Sequence, residues 1–284
     1  MGVSILGEYY LSKDRKIENT GFIKNNDMMP KSGKGFSFYF GLERDFNLKN
    51  NHYLRIENSL FAKSFWNNHH NDDLINRLSV GYVNKSNQRS LAVLPFYEKR
   101  WYGGKQYKDN KGLRLEYDYW LNPNLRTINA LEYSKQYYKD YEQLDGNNKL
   151  FSTTLFWIRK PEQFFFGGFD FFAERSGEKQ FSSDFKNIRI GWGQEWSYGI
   201  SSRLSLAMGQ RKYKSEAVIG GLIPLAKKRD DKEYNVNLTL WKRDWHVLGI
   251  TPKLNYQWRK TDSNIPSMYS YSKNRLMLIF EKSF

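Results

Sequence analysis

Cysteine is absent from the 284 residues, so neither a disulfide framework nor a thiolate metal site is available, which fits a compartment where free thiols would oxidise. Long apolar runs are absent as well. No window approaches the roughly 18 consecutive apolar residues that a membrane helix requires, which excludes a helical membrane protein and leaves other membrane architectures open. Histidine is scarce at four: His52 and His246 fall at tight turns, and His69 and His70 lie in a loop beside Asp72 and Asp73. Neighbouring residues on an extended loop diverge, so this quartet is a poor metal site. No strand places a His beside a Ser on the outer wall, as an outer-membrane hydrolase would need, and the glycine-rich pieces 32–35 and 102–105 lack the strand-to-helix context of a phosphate cradle. No catalytic, cofactor-binding or metal-binding set is expected, and hence no enzyme. The N-terminus, Met1-Gly2-Val3-Ser4-Ile5-Leu6, lacks a basic region followed by an apolar stretch, so no secretory signal is read in it.

What the chain does contain is positive charge and aromatic rings. Lys and Arg total 45 against 30 Asp and Glu, a net charge of +15, and aromatics reach 17% of residues. That aromatic content excludes a disordered polar chain. A basic, aromatic chain suggests nucleic-acid binding first, but here the cations are spread over the whole length and the aromatics follow a period of their own, so no nucleic-acid partner is expected. The basic stretches at 13–31 and 226–229 are better matched to lipopolysaccharide phosphates or an acidic partner.

The hydrophobic period is two, the period of a strand. Ile188, Ile190, Trp192, Gln194, Trp196 and Tyr198 share one face, and Arg189, Gly191, Gly193, Glu195 and Ser197 the other. The same split recurs from Phe36 to Glu43, Leu113 to Tyr119, Tyr234 to Leu240 and Ile250 to Arg259. It predicts about fourteen strands, near 2–12, 34–45, 51–64, 73–84, 88–100, 111–121, 124–136, 149–159, 163–174, 186–199, 201–212, 232–243, 248–260 and 273–284. Tight turns at 46–50, 84–87, 121–124, 160–162, 198–201 and 243–247 alternate with longer polar links at 13–33, 65–72, 101–110, 137–148, 175–184, 212–231 and 261–271.

Strands of about ten residues with short turns at one end and long loops at the other are the signature of an outer-membrane barrel. The expected fold is therefore all-β: one transmembrane, antiparallel, up-and-down β-barrel over 1–284, with both termini periplasmic, in the cell outer membrane. Trp120, Trp157, Trp196, Trp241 and Trp258 near strand ends are read as interfacial girdles. A soluble all-β binding module also alternates, and extraction without detergent would reveal it. The chain ends on Phe284, on the same face as Leu276, Leu278 and Phe280. This ending resembles the terminal signal read by the barrel-insertion machinery, which implies that machinery as a partner.

Fourteen strands imply a narrow wet lumen. The residues expected to line it are Arg55, Glu57, Arg77, Arg114, Glu116, Asp118, Arg126, Glu132, Arg189, Glu195, Arg203, Lys253 and Arg259. A charge on the lipid face would cost about 2–4 kcal/mol at the midplane, whereas a lumenal one costs little. Three readings remain open for this set: an ion-pair lattice that braces the wall, a selectivity ring for an anionic permeant, or a basic path for a polypeptide.

The run from Thr261 through Asn264, Ile265, Pro266, Tyr269 and Tyr271 to Arg275, followed by a strand ending in Glu281-Lys282-Ser283-Phe284, resembles the end of the surface lipoprotein assembly modifier family. The aromatic strand region from Trp157 to Phe172, with its Arg159-Lys160-Pro161 turn, and the Thr251-Pro252-Lys253-Leu254 strand are similar too. The resemblance implies a barrel that moves a client protein, a surface lipoprotein or a related secreted haem- or metal-binding protein, across the outer membrane of Gram-negative bacteria. Members of the family also carry a signal peptide and a periplasmic tetratricopeptide domain ahead of the barrel. Neither is seen here, so the expectation is a barrel portion or a split system whose periplasmic half is a separate polypeptide. A client crosses either unfolded through the lumen or at a seam between the first and last strands, and Gly7, Leu276, Leu278 and Phe280 are the seam candidates, with Gly7 expected to weaken closure. The rival function is a passive diffusion porin preferring anions.

Overall fold

The computed structural model describes residues 2–11 and 219 by their backbone and residues 33–218, 223–246 and 249–282 in full. The described residues form fourteen strands: β1 (Gly2–Leu11), β2 (Gly33–Lys49), β3 (His52–Phe65), β4 (Asp73–Lys85), β5 (Arg89–Tyr102), β6 (Lys105–Asn122), β7 (Leu125–Tyr138), β8 (Gly146–Lys160), β9 (Gln163–Ser176), β10 (Ser183–Glu195), β11 (Ile200–Ile219), β12 (Ile223–Lys242), β13 (Thr251–Ser263) and β14 (Tyr271–Glu281). Each pairs antiparallel with its sequence neighbours, and β1 pairs with β14, so the sheet closes into a barrel with no free edge. Among the described residues no helix is long and apolar enough to cross a membrane.

Parity decides which side chains face out. Ile188 and Ile190 are 58% and 56% exposed, and Leu78, Leu113, Leu131, Leu155, Met208, Leu254 and Leu276 stand on the same outer surface. In water such a belt would be unfavourable by about 25 cal/mol per Å² of apolar area; in lipid it is what anchors the barrel. Polar side chains on this belt bond one another. Asn129 Nδ2 donates to Thr127 Oγ1 at 2.8 Å, and Thr153 Oγ1 donates to Asn129 Oδ1 at 2.7 Å, which removes the cost of an unpaired polar group in hydrocarbon.

Four expectations need correction. The link predicted at 101–110 is a two-residue turn. β5 and β6 stay paired to Tyr102↔Lys105, and Gly103 and Gly104, at φ 58° and 78°, take the left-handed backbone that a tight hairpin requires. The polar link at 212–231 is a ribbon in which β11 and β12 continue to Ile219↔Ile223, with register shifts on either side of Glu216. Its charges resemble a loop's because both of its faces lie beyond the apolar belt and tolerate Lys and Asp. Strand β10 ends at Glu195, and Tyr198, at φ 60° and 88% exposed, sits in the following turn. Finally, Trp120 and Trp241 face inward: Trp120 shares the parity of Arg114, Glu116 and Asp118 and packs against Arg126, and Trp241 lies under Lys253. Trp157 stays on the outer surface, stacked on Phe165. Phe284, Val247 and most of 13–33 lie outside the described residues.

The link between β13 and β14, where the family-like run falls, carries a one-turn helix α1 (Pro266–Tyr269). Arg229 of β12 is held between the rings of Tyr213 and Tyr269, 4.6 and 3.7 Å from their centroids, and binds the fully buried Asp231 at 3.0 and 2.6 Å. Asn264 exchanges backbone and side-chain hydrogen bonds with Asp230 and Lys228. The loop is thus tied to the root of the ribbon by a cation–π sandwich and three hydrogen bonds.

Between β4 and β5 the register runs to Ser79↔Phe96 and resumes at Tyr82↔Val93. Pro95 has no N–H to give to the ladder. Gly81 lets the facing backbone move in, and a Cβ there would stand 2.0 Å from the Val93 carbonyl oxygen. Gly81→Val is expected to destabilise the barrel refolded in phospholipid vesicles by roughly 1–3 kcal/mol of overpacking, read as a lowered urea midpoint. Gly167→Val, where an added Cβ meets nothing within 4 Å, is expected to leave it unchanged.

Candidate functional site in the barrel lumen

The concave face divides into three sectors. The first, on β2 to β7, is charged. Arg55 binds Asp45 through Nε and Nη2 at 2.7 and 2.9 Å, Glu43 at 2.8 Å and Glu57 at 3.4 Å, and Lys85 joins the same Asp45. Arg77 reaches Glu132 at 2.9 Å, lies 3.5 Å over the ring of Phe96 and has Glu98 at 3.9 Å. Arg114 binds Glu116 at 2.5 Å and the same Glu132 at 3.3 Å. Arg126 grips Asp118 with both arms, one at 2.7 Å. Arg77 and Glu132 belong to β4 and β7, whose backbones are separated by about 14 Å, three strand spacings. Side chains close that gap only from the concave side of a barrel.

The second sector, on β6 to β11, is aromatic. Trp120, Ile128, Phe156, Ile158, Phe164 and Phe166 line a cavity of about 650 Å³ with Arg126, Arg189 and Arg203 among them. The rings of Phe166 and Phe164 fill the space that the facing strand leaves free: a Cβ on Gly191 or Gly193 would stand 2.1 Å from Phe166 or Phe164. Arg189 is neutralised by Asp170 at 2.7 and 2.8 Å and is steadied by Ser152 and Thr154 at 3.2 and 3.0 Å. Arg203 lies 5.5 Å over Phe164, remains exposed to the lumen and has no ion pair among the described residues. The third sector, midway along β12 and β13, is uncharged and polar, with ion pairs such as Arg211–Glu233 and Lys253–Glu281 nearer the ends of these strands. Asn255 Nδ2 donates to Asn237 Oδ1 at 2.7 Å and to Thr239 Oγ1 at 2.8 Å.

The remaining residues singled out in the sequence stand apart from these groups. Glu195 meets Arg243 at 3.7 Å at the short-turn end, Lys253 binds Glu281 at 2.5 Å, and Arg259 lies in register with Asn235 and Lys273. At the seam, Val3↔Phe280, Ile5↔Leu278 and Gly7↔Leu276 belong to ten consecutive pairs without a shift, so the pairing passes through Gly7 uninterrupted. The other flank of β1 is shorter, with seven pairs from Gly2↔Tyr39 to Glu8↔Gly33. His69 Nδ1 meets Asp72 Oδ2 at 3.1 Å, and no group of three or more metal-binding side chains forms among the described residues.

Sequence reasoning missed the aromatic sector. In β9 phenylalanines occupy both parities, Phe165, Phe169 and Phe171 as well as Phe164, Phe166 and Phe172, so alternation is silent there. The available signal was the glycine pair Gly191 and Gly193 on the lumenal parity of the next strand, which marks a wall with room for rings from its neighbour.

Residues 9–284 match the sequence profile of the surface lipoprotein assembly modifier family. The chain belongs to that family. A surface lipoprotein assembly modifier of Haemophilus influenzae is 38% identical over 262 residues, 89% of this chain and 53% of the relative. The hemophilin secretion modulator of Acinetobacter baumannii is 25% identical, over 89% of this chain and 50% of its own length. The family member in hand thus spans about half the length of the curated relatives it matches. In fold it is similar to a loop-deletion mutant of the Vibrio cholerae outer-membrane protein OmpT, with a TM-score of 0.54 and 8% identity over 98% of this chain and 96% of that one. Belt, closure, family and fold agree: this assembly-modifier barrel is an outer-membrane protein.

Glu132 is the shared acceptor of two arginines and is only 14% exposed. Glu132→Ala leaves Arg77 and Arg114 facing each other without it and is expected to destabilise the vesicle-inserted barrel by about 1–2 kcal/mol, discounted for a wet lumen. Urea unfolding followed by tryptophan emission checks this, with Glu195→Ala, at an exposed pair, expected to change little.

Proposed function

We propose that this barrel is the outer-membrane half of a translocon that exports one client protein, a surface lipoprotein or a related secreted protein, and that it performs no covalent chemistry and uses no cofactor. The observation that carries the reading is the alignment of nearly the whole chain with the barrel-sized portion of proteins named for surface lipoprotein assembly and hemophilin secretion. The short-turn end, with both termini, faces the periplasm, as in bacterial barrels generally. A periplasmic partner then delivers the client at that end, whether it is covalently continuous with the barrel or a separate tetratricopeptide subunit.

The charged wall does not favour the rival reading of an anion-selective porin. An anion-selective porin gains from unpaired cations, yet Arg55, Arg77, Arg114, Arg126 and Arg189 are all neutralised by adjacent carboxylates. At the opposite end the exposed Lys227 and Lys228 of the ribbon suit contact with lipopolysaccharide phosphates.

The test is surface display of a lipoprotein encoded beside this gene, co-expressed in cells with or without the barrel and with or without its periplasmic half. Protease accessibility on intact cells is expected to require the barrel. A client that reaches the surface equally without it, together with steady, salt-conducting openings of the purified barrel in planar bilayers, would replace the export reading with a porin.

A further inference from the structure

We propose that the aromatic sector of the lumen is a seat for an extended polypeptide segment carrying aromatic and acidic side chains, with Arg203 as the carboxylate anchor. This rests on the export reading for its physiological occupant, but the site itself is argued from the wall.

A water-filled channel gains nothing from lining itself with rings. Phe156, Ile158, Phe164, Phe166 and Ile128 are each only half-buried on the lumenal side, and leaving them against water costs about 25 cal/mol per Å². They are not packed into a plug either, since about 650 Å³ stays open beside them. Gly191 and Gly193 leave room on the wall for the Phe166 and Phe164 rings, and Phe156 packs on Phe166 with centroids 5.6 Å apart, so the rings form one apolar shelf. Arg203, unlike Arg126 and Arg189 in the same cavity, has no carboxylate partner among the described residues, and its guanidinium is steadied over Phe164. A cation fixed on an aromatic face is a ready bidentate site for a carboxylate. Beside Arg203, whose register partner is Thr239, the Ser205 hydroxyl and the Asn237 and Thr239 side chains, which also accept from Asn255, add uncharged polar groups.

Rings, amides and a single unpaired cation ask for a ligand that brings apolar side chains, amides and carboxylates together. An extended peptide has all three, with side chains alternating so that one face lies on the shelf. An acyl carboxylate would use the shelf and Arg203 and leave the amide-bearing side idle.

The probe is a synthetic peptide in which Phe and Asp recur among Gly and Ser, with a benzophenone on one ring, irradiated with the purified barrel in lipid nanodiscs and mapped by mass spectrometry. Adducts are expected on Phe156, Phe164 or Phe166, and to fall about tenfold in Arg203→Glu and in the milder Arg203→Gln, with folding verified by heat-modifiable mobility. A Phe–Lys version of the peptide is expected to label Arg203→Glu better than the parent barrel. Three results overturn the proposal: adducts confined to the outer belt or to the Arg55–Glu57 wall, labelling indifferent to Arg203, or labelling displaced by laurate but not by unlabelled peptide. Client display in cells, scored separately for the same variants, distinguishes the two readings. Display without lumenal adducts removes the seat and leaves export, whereas adducts without client dependence remove export and leave the seat.

Discussion

The structure depends on one constraint: in lipid every backbone N–H and C=O must be satisfied within the protein, and a sheet achieves this only by closing. Closure between β1 and β14 fixes the parity of every strand. From parity follows the division between an outer belt of Leu, Ile, Phe and Met and an inner face where charge is permitted. A residue moved by one position along a strand would change solvent, not merely neighbours. The polar side chains that do occur outside, Thr127, Asn129 and Thr153, are tolerated because they satisfy one another.

Within that frame the lumen is asymmetric. On β2 to β7 Arg77 of β4 and Arg114 of β6 share Glu132 of β7, and Arg55 of β3 and Lys85 of β4 share Asp45 of β2, so the wall is tied from inside across up to three strand spacings. On β8 to β10 the wall is stiffened differently, by rings laid over glycines. In the first sector each arginine has a carboxylate partner, whereas the second leaves apolar surface and Arg203 without one among the described residues. The peptide seat proposed above therefore uses the second sector. At the long-loop end, the Tyr213–Arg229–Tyr269 sandwich fixes the last loop to the base of the ribbon, which holds the mouth of the barrel in a defined shape.

Much of the fold was legible in the sequence because a membrane barrel states its parity openly. Strand number, antiparallel order and the polarity of each face follow from a period of two, and ion pairs such as Arg126–Asp118 follow from parity plus register. What was not legible shares one cause, the loss of compositional contrast. The ribbon at 212–231 reads as a loop because, beyond the apolar belt, a strand has no reason to alternate. The 101–110 hairpin reads as a loop because Lys and Asp crowd its tip, and only Gly103 and Gly104 reveal the tight turn. Trp120 and Trp241 read as interfacial anchors from their type, although their parity already placed them with the lumenal charges. The aromatic shelf is invisible to a period when both parities of β9 carry phenylalanine.

The central claim is that consecutive residues of one strand alternate between lipid and an aqueous lumen, charged on the inside. The absence of cysteine makes a direct measurement possible. Single cysteines placed in turn from Leu113 to Asp118 on β6, in barrels inserted into vesicles, are labelled with a membrane-impermeant maleimide and, in parallel, with a bimane quenched by lipid-borne nitroxide. Aqueous labelling is expected at positions 114, 116 and 118 and lipid quenching at 113, 115 and 117. Uniform aqueous labelling, or quenching at position 116, would contradict the alternation.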